Sequence, residues 1–104
     1  MISSMMSMDI VNYLLKEGYT VNRIAEMINV PVDFIKEILK EEKNLNNQQL
    51  LLLNEKTHIP LTKILVEAIP EDHIPDNWKE KFEKIRVKYK IICSLQEVIK
   101  KKKS

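Results

Sequence analysis

Glycine is almost absent from this chain of 104 residues: Gly18 is the only one. An all-β design with many tight turns needs residues that adopt positive φ, so this scarcity argues against one. Cysteine is as scarce. Cys93 alone cannot close an internal disulfide, which fits a reducing compartment. The longest apolar run, Leu50 to Leu53, falls far short of the ~20 residues a membrane-spanning helix requires. Met1 to Met8 has neither the basic flank nor the apolar stretch of a secretory signal. The expected location is the cytoplasm, with no membrane partner.

Catalytic and metal-binding signatures are missing too. There is no Gly-rich phosphate loop, no Ser-His-Asp set and no carboxylate pair in a cleft-forming context. His58 and His73 share no ligand spacing with Cys93 or with an acidic cluster. Cys93 lies near an apolar helical face, where a thiol is buried and inert. No enzyme activity, metal or cofactor is expected. A chain this long buries roughly 60–70 % of its extended surface, enough to fold without disulfides or metal.

What the chain does have is Leu, Ile, Lys and Glu at helical spacing nearly throughout. The expected class is all-α. Ser7 is read as the N-cap of a first helix carrying Ile10, Val11, Leu14 and Leu15, with Asp9 in its first turn and Gly18 closing it. Thr20 caps a second helix that runs to about Ile28. Pro31 opens a third, extending to about Lys40. After a polar linker, Asn46 or Asn47 caps a fourth helix carrying Leu50, Leu51 and Leu53. Pro60 ends the turn after it, and Leu61, Ile64, Leu65 and Ala68 line a fifth. Pro70 to Pro75 interrupts the pattern. The division expected is residues 1–70 as one unit and 71–104 as a long C-terminal helix, capped by Asp76, with a basic tail.

The segment from Thr20 to Ile38 carries the most information. Ile24, Ala25 and Ile28 line one side of the second helix, and Ile35 and Ile38 one side of the third. Ala25 allows a close helix crossing. Asn29 falls in the turn, where φ > 0 is required and Asn is well tolerated. Two helices joined in this way form the unit that places its second member in the DNA major groove.

Taken from Thr20 to Leu65, the chain resembles the phage-repressor or Xre-type helix-turn-helix family. The resemblance rests on Thr20 at the capping position, Ile24-Ala25, Val30-Pro31, Asn44, the Leu50–Leu53 helix and Ile59-Pro60-Leu61 with Ile64-Leu65. It implies a five-helix lambda-repressor-like domain and a sequence-specific, double-stranded-DNA-binding transcriptional regulator. Under that reading Val32, Asp33, Lys36, Glu37 and Lys40 face outward on the reading helix. Lys36, Lys40 and Lys43, joined by Arg23 and Asn44, form a phosphate-facing row. Thr20 and Asn22 approach the backbone from the second helix. Asn29 and His58 stand where the family usually has glycine, Glu41 where its reading helix ends in glycine, and Thr57 where it has a core leucine.

Charge complicates this expectation. The net charge is +2, but residues 1–70 hold seven basic and nine acidic side chains, and residues 71–104 ten and six. A phosphate-gripping module usually shows the opposite emphasis. The alternative is a protein-interaction adaptor on the same scaffold, antitoxin-like or effector-associated. Phe34 either packs on Met27 or the first helix, or meets a thymine methyl or a protein partner. In the last helix Trp78, Phe82, Ile85, Tyr89, Ile92, Gln96 and Ile99 recur at alternating steps of four and three. Self-association through this seam, giving a homodimer, is expected; folding back as a lid is the other solution. Lys100 to Lys103 suits either a nucleic-acid contact or a soluble helix end.

Overall fold

The computed structural model describes residues 2–88, in which every regular element is helical. Helix α1 (Ser4–Lys16) is followed by α2 (Val21–Met27), α3 (Val32–Leu39), α4 (Asn47–Thr57) and α5 (Leu61–Ala68). A single 3-10 turn, Glu71–His73, leads into α6, described over 76–88. Tyr89, Ile92, Cys93, Gln96, Ile99 and Lys100 to Lys103 lie outside the described residues. No helix among the described residues is long and apolar enough to cross a membrane.

The helix ends follow local chemistry closely. Three of them close in the same way, with a left-handed residue just past the helix and paired reverse hydrogen bonds onto its last turn. At Gly18 (φ 102°) the N–H groups of Gly18 and Tyr19 donate to Leu15 and Leu14. At Asn29 (φ 58°) those of Asn29 and Val30 donate to Glu26 and Ala25. At Glu41 (φ 61°) those of Glu41 and Glu42 donate to Ile38 and Glu37. His58 (φ 60°) ends α4 in the same backbone region. At the N-termini, Thr20 Oγ1 accepts from the Arg23 N–H, and Asn46 and Gln49 form a reciprocal capping box.

A glutamate in the left-handed region costs about 1–2 kcal/mol, partly offset in glycine by its larger loss of freedom on folding. Glu41→Gly is therefore expected to stabilise the protein by about 0.5–1 kcal/mol. A rise in the urea midpoint at unchanged m-value would show it; an unchanged or lower midpoint would contradict it.

Two caps differ from the sequence reading. Helix α1 starts at Ser4 with Ser3 as N-cap, not at Ser7. The apolar period continues back to Met6, which is buried inside the helix, and Ile2 is buried just ahead of the Ser3 cap. Ser7 is fully buried in mid-helix. Its hydroxyl donates to the Ser3 carbonyl (2.9 Å) and accepts the buried Leu45 N–H (2.9 Å), fixing the loop after α3 onto α1. Ser7→Ala leaves that N–H without a partner and should cost about 1–3 kcal/mol in denaturant unfolding, whereas Ser7→Thr can keep the bond. A loss below about 0.5 kcal/mol would argue against the contact. Likewise α6 begins at residue 76 itself: the Pro75 carbonyl accepts the Trp78 N–H, and the Asp76 carboxylate bonds Lys79 (3.0 Å) instead. That bond raises the pKa of the exposed Lys79.

Helix α1 lies against α2, α3 and α5; α2 packs on α3 and α4, and α4 on α5. One apolar cluster joins Met6, Ile10 and Leu14 to Ile24, Ile35, Ile38, Leu45, Leu53 and Ile64. Ala25 is buried, as the close α2–α3 crossing demands. On α4, Leu50, Leu53 and Thr57 share the inner face, while Leu51 is 59 % exposed because it falls off that stripe. Thr57 takes a core position with its hydroxyl satisfied: it donates to Leu53 O (2.6 Å) and accepts the Ile59 N–H (3.2 Å).

Ile69, Ile74 and Phe82 belong to the same cluster. The segment after Pro70 is thus packed into the core of the first five helices, and Phe82 is only 2 % exposed. Trp78 meets Phe82 edge-to-face at 6.3 Å, and Lys81 lies 5.0 Å over the indole ring. Arg86 pairs with Glu71, tying α6 back to the 3-10 turn.

Candidate nucleic-acid interface

Helix α3 is sharply two-sided. Ile35 and Ile38 are fully buried, and Val32, Phe34 and Leu39 are half-buried and packed on the core. Phe34 therefore belongs to the packing, and Val32 leans inward where the sequence had placed it on the outer row. What α3 presents to solvent is Asp33, Lys36 and Lys40, with Glu37 at the margin.

Thr20, Asn22 and Arg23 are exposed at the start of α2, and Lys43 and Asn44 are exposed in the loop after α3. Their charges are not all available. Arg23 contacts Glu26 at 3.5 Å, and Lys43 reaches Glu37 at 3.9 Å. Both pairs are solvent-exposed and weak. Asp33, Lys36 and Lys40 enter no ion pair among the described residues. From Asn22 to Asn44 the chain carries four basic and five acidic side chains, so the surface is mixed rather than a basic stripe.

No protein family, curated protein or solved structure matches this chain.

The self-association seam divides. Phe82 faces the core of its own chain, Trp78 and Ile85 are half-buried, and the positions from Tyr89 onward lie outside the described residues. Phe82 turns inward because the 3-10 turn between Pro70 and Pro75 sets α6 against the core, where Ile74 is buried as well. Val87, outside the heptad reading, is the exposed large apolar residue among the described residues of α6, at 48 %.

A second polar feature was missed by sequence reasoning. Asp9, 8 % exposed, meets His73 Nδ1 at 2.7 Å. Nearby, the Tyr13 hydroxyl donates to Glu67 at 2.7 Å across an open groove of about 520 Å³ between α1 and α5. The available signal was Asp9 in phase with Met6 and Tyr13, which marks it as inward once α1 starts at Ser4. His73 lies in the Pro70–Pro75 interruption, and its side chain anchors that segment to α1. Among the described residues no three His, Cys, Asp or Glu side chains are grouped to hold a metal.

Proposed function

We propose that the chain is a sequence-specific DNA-binding transcriptional regulator of the lambda-repressor-like helix-turn-helix type, acting in the cytoplasm. The observation that carries this reading is α3 itself. It is braced from behind by Ile35 and Ile38, joined to α2 through a turn with Asn29 in the left-handed region, and exposed along Asp33, Lys36 and Lys40. A rod supported on one side and polar on the other has the shape that enters a major groove about 12 Å wide. Lys36 and Lys40 would meet phosphates or guanine edges, with Lys43 and Asn44 following from the loop and Thr20, Asn22 and Arg23 from α2. Occupancy of a promoter then regulates without catalysis. Two copies, paired through the last helix at positions other than Phe82, would cover paired half-sites.

The test is binding of the full chain to duplex DNA in low salt, by gel shift and by retention on heparin. A shifted duplex that dissociates as salt rises supports the reading. No shift and no retention overturn it.

One observation favours a second reading. A surface with five carboxylates against four basic groups suits a protein partner better than a polyanion. On that reading the scaffold is an adaptor, and flow-through on heparin accompanies binding to a protein with a basic or neutral face.

A further inference from the structure

We propose that Asp33 and Lys36 select two neighbouring G·C pairs, Asp33 accepting from a cytosine amino group and Lys36 donating to the guanine of the adjacent pair; this rests on the DNA-binding reading above. Reading helices enter the major groove N-terminus first. In α3 that places Asp33, in the first turn, ahead of the other exposed side chains. Its carboxylate is exposed and in no ion pair among the described residues, unlike that of Glu37, which Lys43 approaches at 3.9 Å. Of the two acids on this face, Asp33 is the more exposed and the nearer to the leading end of the helix, so it is the one placed to meet a base.

A carboxylate can only accept hydrogen bonds. In the major groove the base atoms that donate are the amino groups of cytosine and adenine. Adenine sets its N7 acceptor beside that donor, and guanine and thymine offer acceptors alone, so they repel Asp33. Cytosine N4 is the remaining match. Lys36, three residues on, lies ~4.5 Å further along the helix, close to one base-pair rise of ~3.4 Å. As a pure donor it matches guanine O6 and N7. Asp33 consequently opposes general affinity while sharpening selection, since every phosphate nearby is repelled as well.

The experiment is selection of the full chain against a randomised duplex library, followed by affinities for the enriched site. Wild-type protein should enrich a cytosine beside a guanine, and changing that C·G pair should weaken binding roughly ten-fold or more. Asp33→Asn should move the preference at that position to adenine, which an amide matches bidentately. Asp33→Ala should lose the preference there yet bind random duplex more tightly than wild type. Asp33 is exposed, so neither change disturbs the core. An enriched site whose base preferences are the same in wild type, Asp33→Asn and Asp33→Ala overturns this assignment and leaves the regulator reading standing. Failure of the wild type to bind any duplex in low salt overturns both.

Discussion

Replacing Phe82 with alanine should destabilise the protein by about 3–5 kcal/mol, the usual cost of deleting a buried aromatic ring. Phe82 is 2 % exposed and shares a cluster with Ile69, Ile74 and the residues of the first five helices. In a domain of this size such a loss is a large fraction of the total stability, and a melting temperature lower by about 12 °C or more is expected. The chain has one tryptophan, Trp78, whose ring meets Phe82 edge-to-face. Its fluorescence therefore reports on the same site. Truncation after Pro75 removes Phe82 and Trp78 together, so the remaining helices should lose cooperative unfolding. A variant within about 1 kcal/mol of wild type, or a truncated chain that melts as sharply as the whole, would mean that α6 is an appendage.

The second large effect concerns DNA. Lys36→Ala, Lys40→Ala and Lys43→Ala together should lower affinity for duplex DNA by roughly a hundred-fold at low salt. The slope of log affinity against log salt should flatten by about one to two, since each phosphate-neutralising lysine contributes close to one and Lys36 meets a base edge instead. The larger part falls to Lys36 and Lys40, because Lys43 already shares its charge with Glu37. All three side chains are exposed, so the fold should be unaffected and circular dichroism should be unchanged. Equal affinity and an equal slope would mean that DNA, if bound, is held elsewhere.

What the sequence made legible was local. The Thr20 cap and the Gly18 and Asn29 turns depend on a few neighbouring residues, and each could be read from them, whereas Glu41 and His58 were marked only by the glycines that the resembled family carries there. The inner faces of α2 and α3 followed from spacing. Ser7, Asp9, His73 and Phe82 were read differently from what the fold makes of them, because their roles are set by residues distant in the chain. Ser7 answers to Leu45, and Asp9 to His73. Nothing near Ser7 distinguishes a cap from a buried hydroxyl; the deciding group is an amide brought in by a loop 38 residues away. Phe82 fits a seam and a core equally well on periodicity, and the 3-10 turn that orients α6 decides between them. For the interface, the outward row on α3 could be read from helical geometry except at Val32. The pairing of Glu37 with Lys43 crosses a loop and could not.

Mapping amide chemical shifts of the full chain as a duplex is added tests the central claim most directly. The account predicts that shifts cluster on Asp33, Lys36, Glu37 and Lys40, with weaker changes at Thr20, Asn22, Arg23, Lys43 and Asn44, and that the exposed side of α4 around Leu51 stays still. Shifts confined to residues 76–104, or spread over α4 with α3 silent, would contradict it.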